Sequence, residues 1–360
     1  MLNVSYQNGT IHQEESGLDI SAYLDFENFV KYFIPVIFGL LVLFGMIGNT
    51  MVIYWISFKE KLNQPTNILI FFLALADLLF VLSCVPYTAV HYAMSDWPFG
   101  NIWCKVVNFT THVCAYASVW TLVLLSLDRC LAVVHPMATK KIRTRRNTFL
   151  MVYATWAIII CGNIPVLLQF GVIRYQWEGF DRSACLNLAG LYNKRVLKVF
   201  YGCFFIFGYA FPLTLICTLY GSLVKHLRLR TPLSLRRHRR SMRAKRQATR
   251  MIISFVIAFA LCWLPIHAIL IIKNFIDFEA TIGFTAVMMF ANCLAYINSC
   301  INPILYVFLS EKFQKKFRSC LSNSRSWTCI KKDQPRGGGL KTVKINCNKE
   351  INDTKITDIV

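Results

Sequence analysis

Long apolar stretches separated by short polar segments occupy most of this 360-residue chain. About 20 helical residues cross the hydrocarbon core of a bilayer, and each of seven stretches is at least that long. Every backbone N–H and C=O group inside a bilayer must be paired within the protein, so each stretch is predicted to be helical. The pattern predicts an all-α membrane protein, a seven-transmembrane helix bundle over residues 30–309. The predicted spans are residues 30–57, 67–94, 103–134, 148–170, 196–224, 251–272 and 282–309.

Lysine and arginine are concentrated on one side of the predicted membrane, in residues 59–61, 140–146 and 225–250. Short loops rich in these residues stay in the cytoplasm, so this side is predicted to be cytoplasmic. Residues 1–29 then form an extracellular tail, and the carboxyl terminus is inside, as in a multi-pass plasma-membrane protein. The basic run 236–246 could also bind nucleic acid, but its place between two membrane helices favours a cytoplasmic loop, so no nucleic-acid partner is expected.

Four Asn-x-Ser/Thr sequences test this orientation. Asn3 and Asn8 lie in the extracellular tail and are predicted glycosylation sites. Asn108 falls inside the third predicted helix and Asn352 falls in the cytoplasmic tail, so neither is expected to carry a glycan.

Two of the 14 cysteines lie on the predicted outer side, away from the apolar interior. Cys104 begins the third predicted helix, and Cys185 lies in the polar loop between the fourth and fifth. Their compartment is oxidising, and that side offers no other obvious pair, so a Cys104–Cys185 disulfide is predicted. It would hold residues 174–193 across the mouth of the bundle.

One acid, Asp77, lies midway along the second predicted helix. A charge at that depth needs partners and usually marks function. A carboxylate among amides and hydroxyls suits sodium, a small cation that prefers oxygen ligands. A protonated acid in a static hydrogen-bond network is the open alternative. The candidate partners are Asn49, Ser118, Asn298, Ser299 and Asn302.

An acid and a base, Asp128 and Arg129, end the third predicted helix at the inner face. If the two side chains pair, the free-energy cost of placing Arg129 near the bilayer is lower. The pair is then either an interfacial anchor or a switch that can open. Prolines are predicted to interrupt five helices, which could swing about the breaks. They are Pro86, Pro165, Pro212, Pro265 and Pro303.

Residues 35–320 resemble the rhodopsin-like (class A) G-protein-coupled receptors. The stretches 97–100, 115–124, 126–129 and 131–136 are most similar to arthropod allatostatin-A receptors, the invertebrate relatives of galanin receptors. The class A motif residues are Gly48, Asn49, Leu73–Asp77, Cys104, Ser118, Asp128, Arg129, Trp156, Pro212, Tyr220, Phe259, Cys262, Trp263, Pro265, Asn298, Asn302, Pro303 and Tyr306.

The resemblance implies a receptor that binds an extracellular neuropeptide of the allatostatin-A type and signals to a heterotrimeric G protein of the Gi/Go class. Galanin-, kisspeptin- and somatostatin-like peptides are the alternative ligands. No cofactor is expected to be required; sodium bound by Asp77, Ser118, Asn298 and Asn302 is the expected allosteric ion. The implied switch and coupling residues are Asp128, Arg129, Tyr220, Phe259, Trp263, Pro265, Asn302, Pro303 and Tyr306.

The resemblance also narrows the classes of ligand that the receptor is expected to bind. Thr111 stands where amine receptors carry an Asp, and Tyr296 stands where opsins carry the retinal-binding Lys, so amines and retinal are not expected. The outer halves of the helices carry aromatic and amide side chains that suit a peptide, with His267 the first candidate because it lies one turn above Trp263. The predicted ligand-binding residues are Tyr87, His91, Thr111, His112, Tyr116, Tyr201, Phe204, His267, Asn292 and Tyr296.

Three residues depart from the family pattern. Cys130 replaces a Tyr after Arg129, and Val119 replaces an Ile in the core switch. Lys245 stands where some members carry an acid, so an ionic lock between Arg129 and the sixth helix is not expected.

The segment after the seventh helix is predicted to form a short amphipathic eighth helix on the membrane surface, residues 310–320. Cys320 is a predicted palmitoylation site. Residues 321–360 are predicted to be a disordered cytoplasmic tail whose serines serve a receptor kinase and arrestin.

The sequence argues against two other classes of function. A transporter or channel needs a polar path across the bundle, but only one acid lies at mid-membrane depth. An enzyme needs a nucleophile, acid or metal constellation at one depth, and none is evident, so no enzymatic activity is expected.

Overall fold

The computed structural model describes residues 5–7, 10–12, 20–60, 62–94, 96–177, 180–229, 236–276 and 281–309. Within these ranges seven helical spans are long and apolar enough to cross a membrane, which confirms the predicted seven-helix bundle. The helices are α1 (Ile20–Trp55), α2 (Pro65–Ser83), α3 (Val85–Ala93), α4 (Gly100–Val134), α5 (Arg145–Gln169), α6 (Ala189–Tyr192), α7 (Lys194–Phe205), α8 (Phe211–Leu229), α9 (Arg236–Phe275) and α10 (Ile282–Leu309).

The second and fifth spans are each interrupted. Pro86 lies in the first turn of α3, directly after the break at Cys84 that ends α2. A π-helical turn, Ile206–Ala210, separates α7 from α8 just before Pro212. A proline inside a long packed helix removes one backbone hydrogen bond and can kink the helix without ending it. Pro165, Pro265 and Pro303 lie inside continuous helices, as does Pro35.

Small residues and an indole fix how the spans pack. A Cβ atom at Gly45 would come within 2.8 Å of Val81, and one at Gly48 within 3.0 Å of Pro303, so α1 approaches α2 and α10 closely. Trp120 of α4 donates its indole N–H to the carbonyl oxygen of Phe207 at 3.2 Å. This bond ties the third span to the π-helical turn, where the regular backbone pairing is disturbed.

The outside of the bundle is apolar, as a lipid-facing surface requires. Ile158 on α5 is 73% exposed, and Ile102 on α4 is 76% exposed. The interior is also apolar, with Leu122 of α4 and Phe259 of α9 fully or almost fully buried. Polar side chains inside the bundle are therefore few, and each needs a partner.

The segment between the fourth and fifth spans is a β-hairpin, whereas the sequence indicated only a polar loop. Strand β3 (Phe170–Trp177) pairs antiparallel with β4 (Phe180–Asn187), and Val172 faces Cys185. A shorter hairpin, β1 (Ser5–Gln7) with β2 (Thr10–His12), lies in the amino-terminal segment. Strand pairing was missed because it depends on non-local backbone contacts and not on an apolar period.

The β3–β4 hairpin is held at the mouth by three sets of contacts. The predicted Cys104–Cys185 disulfide is present, with Cα atoms 5.6 Å apart. Asp96 accepts hydrogen bonds from the backbone N–H of Ser183 at 2.9 Å and from Arg182 at 3.2 Å. Asn101 accepts a hydrogen bond from the backbone N–H of Val172 at 3.1 Å. The hairpin is thus anchored to the first outer loop and to the start of α4.

Candidate functional site

Asp77 is at the centre of a polar cluster inside the bundle. It is 1% exposed. Its Oδ1 accepts hydrogen bonds from Ser118 at 3.2 Å and Ser299 at 3.1 Å, and its Oδ2 accepts one from Asn302 at 2.7 Å. The structure therefore brings three of the five candidate partners onto the carboxylate. These bonds join α2, α4 and α10.

The other two candidates lie nearby without bonding Asp77. Asn49 donates to the carbonyl oxygens of Gly45 at 2.9 Å and Ser299 at 3.0 Å. Asn298 is 1% exposed, and neither its amide oxygen nor its amide nitrogen has a hydrogen-bond partner among the described residues. A buried amide without a partner is uncommon and calls for an explanation. The carboxylate, the serine hydroxyls and this amide supply oxygen atoms, which are the ligands that a small hard cation such as sodium prefers.

Four of the predicted ligand-binding residues pack together around one ring. Phe204 of α7 lies 4.9 Å from His112, 5.5 Å from Tyr116 and 4.7 Å from His267, measured between ring centroids. His267 is 1% exposed, and its Nε2 has no hydrogen-bond partner among the described residues. We call His112, Tyr116, Phe204 and His267 the aromatic cup. It joins the third, fifth and sixth spans.

Two more predicted residues hydrogen-bond across the bundle from α10. Tyr296 donates to the hydroxyl of Thr88 at 2.9 Å, and the amide of Asn292 donates to the hydroxyl of Tyr92 at 2.8 Å. Thr88 and Tyr92 were not foreseen, because they are uncharged residues whose direction on α3 depends on the break at Cys84. Thr111 is occupied locally, since its hydroxyl donates to the carbonyl oxygen of Val107 at 2.8 Å.

Three predicted residues have their ring contacts outside the aromatic cup. Tyr87 packs against Phe99 at 4.7 Å and Trp103 at 5.9 Å, on the first outer loop and the start of α4. His91 packs against Tyr92 at 5.7 Å. Tyr201 packs against Phe200 at 5.1 Å. The sequence places all three on outer helix halves, but it does not fix the direction in which each side chain points.

The deep part of the site carries no formal charge. Neither the aromatic cup nor Thr88, Tyr92, Thr111, Asn292 and Tyr296 includes an Asp, Glu, Lys or Arg. Lys273 lies on the same helix as His267 but six residues further outward. A fully buried charge needs a partner or pays a large desolvation penalty. The site therefore favours a neutral group at its base.

Aromatic contacts continue from the aromatic cup into the core. Trp263 lies 6.0 Å from His267 and 6.1 Å from Phe259 between ring centroids. Tyr209 packs against His267 at 5.2 Å and against Phe259 at 5.9 Å, and its hydroxyl donates to the carbonyl oxygen of Ala260 at 2.9 Å. Tyr209 was missed because its direction depends on the π-helical turn. His267 of the aromatic cup is thus in direct ring contact with the predicted switch residue Trp263.

At the inner face, Asp128 lies closer to Arg143 than to its sequence neighbour Arg129. Arg143, from the loop after α4, donates to Oδ1 of Asp128 at 2.8 Å, and Thr66 donates to Oδ2 at 2.9 Å. Arg129 bonds the hydroxyl of Thr66, and its Nε is 3.8 Å from Asp128. The adjacent pair that the sequence indicated is therefore loose. Arg143 was not singled out because it is one of several bases in its loop.

The remaining coupling residues line the inner half of the bundle. Tyr306, 6% exposed, borders a small cavity together with Asn302 and Pro303. Tyr220 is half-buried in α8. Cys130 is buried.

Several predicted features lie outside the described residues. They are the glycosylation sites Asn3 and Asn8, the amphipathic helix 310–320 with Cys320, the tail 321–360, and the side chain of Lys245. Asn108 does lie inside α4, as predicted, and its amide donates to the carbonyl oxygen of Cys104 at 2.8 Å.

Comparisons with known proteins agree with this architecture. The family model of the seven-transmembrane receptors of the rhodopsin family matches residues 48–306. The chain is 40% identical over 304 residues to the allatostatin-A receptor of Bombyx mori, covering 82% of this chain and 83% of that one. It is 35% identical over 320 residues to a galanin-like G-protein-coupled receptor of Caenorhabditis elegans, covering 82% of this chain and 74% of that one. It is 32% identical over 290 residues to galanin receptor 2b of Danio rerio, with shares of 80% and 75%.

These relatives are receptors and not enzymes, and the family is one of multi-pass membrane proteins that respond to extracellular ligands and act on G proteins. The match covers most of the chain, from within the first helical span to the end of the seventh. The chain therefore belongs to the rhodopsin family of seven-transmembrane G-protein-coupled receptors.

Proposed function

We propose that this chain is a plasma-membrane receptor for an extracellular amidated peptide of the allatostatin-A type, and that it signals through Gi/Go. The amino terminus lies outside the cell in this proposal, and the carboxyl terminus inside. The Bombyx mori relative is named an allatostatin-A receptor. This name supports the peptide class, because the two chains are similar over most of their length. Arrestin, a receptor kinase and the surrounding lipids are the further partners.

The uncharged aromatic cup is the observation that carries the ligand assignment. An amidated peptide ends in a neutral group with hydrogen-bond donors and an acceptor. Such a group can pack against the rings of the aromatic cup without burying a charge. The Nε2 of His267 and the indole N–H of Trp263, both without a hydrogen-bond partner in the described part of the chain, offer it hydrogen bonds. A free carboxylate or ammonium at this depth would lack a counter-charge.

A galanin-like peptide is the second candidate, because two of the relatives carry that name. Kisspeptin- and somatostatin-like peptides are further alternative ligands. Membership of the receptor family disfavours a transporter or channel.

The mechanism that follows is a shift between two populations of the bundle. A peptide that binds the active bundle more tightly than the resting one moves the equilibrium by that difference in affinity. The rings of His267, Trp263 and Phe259 connect the cup to the core, and Pro265 weakens α9 at that level. An outward movement of the inner half of α9 would expose Arg129 to the G protein.

Peptide-evoked potassium current tests the function directly. The chain is expressed in oocytes with a G-protein-gated inward-rectifier channel, and amidated Phe-Gly-Leu-ending peptides and galanin are applied in turn. We expect current at nanomolar amidated peptide, and its loss after pertussis toxin. Surface labelling of the receptor is the control. Neither a current nor a calcium response from a receptor shown at the surface would reject the ligand, and a toxin-resistant calcium response without a current would reject Gi/Go.

We further propose that sodium binds at Asp77 and stabilises the resting bundle. The buried carboxylate, Ser118, Ser299 and the unpartnered amide oxygen of Asn298 support this assignment. By linkage, sodium then lowers peptide affinity to the same extent that peptide lowers sodium affinity.

Replacing sodium by N-methylglucamine at constant ionic strength should therefore raise peptide affinity about five-fold or more. Asp77→Asn should remove this dependence, because a neutral amide holds the cation poorly. Asp181→Asn, which neutralises an exposed acid of the outer hairpin, is the matched control and should keep it. Equal sodium dependence in wild type and Asp77→Asn would rule the site out.

A further inference from the structure

One side chain of the fifth span touches the sixth span, α9, on both sides of its proline. Pro265 divides α9 into an inner arm before it and an outer arm after it. The ring of Tyr209 lies 5.2 Å from the ring of His267 on the outer arm, between centroids. It lies 5.9 Å from the ring of Phe259 on the inner arm. Its hydroxyl donates to the carbonyl oxygen of Ala260 on the inner arm at 2.9 Å. We call these three contacts the Tyr209 clasp.

The clasp reaches α9 beside its weakest point. A proline inside a helix has no backbone N–H, so the carbonyl oxygen of Leu261, one turn before Pro265, loses its helical partner. Ala260 is the next residue inward. The hydroxyl of Tyr209 therefore holds the inner arm immediately beside the segment at which the helix can bend. Because the ring of the same residue packs against the outer arm, one side chain joins the two arms.

The π-helical turn of the fifth span holds Tyr209 in place. Tyr209 lies within this turn, Ile206–Ala210, and is buried. Trp120 of α4 donates its indole N–H to the carbonyl oxygen of Phe207 at 3.2 Å, which ties the turn to the third span. The ring of Phe205, just before the turn, stacks on the ring of Tyr209 at 6.1 Å between centroids. The turn is thus joined to the third span by Trp120 and to the sixth span by Tyr209.

The hydroxyl bond of the clasp opposes an outward movement of the inner arm. Such a movement would separate the hydroxyl of Tyr209 from the carbonyl oxygen of Ala260. A buried hydroxyl that loses its partner pays the desolvation cost of a polar group, which exceeds the net gain of an ordinary hydrogen bond. A phenylalanine in place of Tyr209 has no hydroxyl to leave unpaired. It would keep the ring contacts and remove only this opposition.

We propose that Tyr209 is a positioning residue that clasps the two arms of α9 across Pro265 and so keeps the inner arm in its resting position. This inference rests on the proposed outward movement of the inner half of α9. A peptide that displaces the ring of His267 in the aromatic cup also displaces the ring packed against it, and the hydroxyl of Tyr209 then leaves Ala260. The clasp thereby carries a ligand contact in the cup to the inner arm.

The distance between the inner ends of the fourth and sixth spans tests the proposal without peptide or G protein. Spin labels are attached to p-acetylphenylalanine, which replaces the exposed residues Arg146 of α5 and Arg250 of α9 and avoids the native cysteines. Distance distributions of the purified full-length receptor in lipid nanodiscs are compared among wild type, Tyr209→Phe, Tyr209→Leu and Tyr153→Phe. Tyr153→Phe is the matched control, because Tyr153 is 58% exposed on α5 and its variant removes a phenol hydroxyl without touching the clasp.

Tyr209→Phe should raise the ratio of the longer to the shorter distance about two- to ten-fold, the range expected for the loss of one buried hydrogen bond. Tyr209→Leu, which also lacks the ring, should raise the ratio at least as much. Tyr153→Phe should match wild type. An unchanged or lowered ratio in either variant of Tyr209, or an equal rise in Tyr153→Phe, would overturn the inference.

Basal guanine-nucleotide exchange separates this inference from the proposed coupling. Without peptide, Tyr209→Phe should catalyse exchange on purified Go about two- to ten-fold faster than wild type, and Tyr153→Phe should match wild type. A shift in the distances without any exchange on Go would reject the Gi/Go assignment and leave the clasp standing. Faster exchange with unchanged distances would overturn the clasp, because Tyr209 would then act by another route.

Discussion

Loss of the Cys104–Cys185 disulfide should abolish high-affinity peptide binding. The bridge joins residues 81 apart in sequence and holds β4 against the start of α4, directly beside the mouth. Removing a native disulfide of this kind destabilises a protein by about 2–5 kcal/mol. Cys104→Ser and Cys185→Ser should therefore show lowered surface expression and lost peptide-evoked current, and the double variant should resemble either single one.

The matched control for this prediction is Cys217→Ser, which alters an exposed, free cysteine of α8. It should leave surface expression and peptide response unchanged. Without the bridge, the hairpin is held only by its polar contacts, including those to Asp96 and Asn101. We therefore expect the disulfide variants to shift the hairpin without unfolding the bundle. Normal peptide affinity in Cys104→Ser would show that these polar contacts suffice and that the bridge is dispensable.

Conversion of the peptide's terminal amide to a free carboxylate should lower potency about 100-fold or more, since burying an unpaired charge costs several kcal/mol and each 1.4 kcal/mol is ten-fold in affinity. The reason is the uncharged floor of the site, where His267 and Tyr296 are buried and the described neighbours include no Lys or Arg. Concentration–response curves of potassium current measure the change.

A peptide with an acid added at its other end is the control, because the proposal places that end at the solvent-exposed mouth, on the side of Lys273 and the hairpin. Its potency should change about ten-fold or less, as expected for a solvated charge. Equal potency of the amidated and free-acid peptides would mean that the peptide terminus does not enter the aromatic cup. The ligand assignment would then have to be made again from the mouth residues.

The sequence predicts the bundle well because the membrane leaves few alternatives. Apolar length alone identifies all seven spans, and the membrane-spanning helical segments of the structure begin and end within a few residues of the predicted boundaries. The cluster around Asp77 was also predictable, because a buried carboxylate must be satisfied by the few polar residues at its depth. The disulfide followed in the same way from the two cysteines that face the outside.

The missed features depend on geometry that residue type does not carry. The β3–β4 hairpin is polar and pairs through backbone groups, so no hydrophobic period marks it. Tyr92 follows the break at Cys84, and Tyr209 lies within the π-helical turn, so regular helical spacing does not predict the contacts of either residue. Arg143 contacts Asp128 only because its loop folds back onto α4.

Equilibrium binding of a labelled amidated peptide to the purified receptor tests the central claim most directly. It separates recognition of the peptide from coupling to any G protein. We predict saturable binding at nanomolar concentration, displaced fully by the unlabelled amidated peptide and only at about 100-fold higher concentration by its free-acid form. No saturable binding to a folded, disulfide-bonded receptor, or equal displacement by the two forms, would contradict the claim that the uncharged aromatic cup receives an amidated peptide.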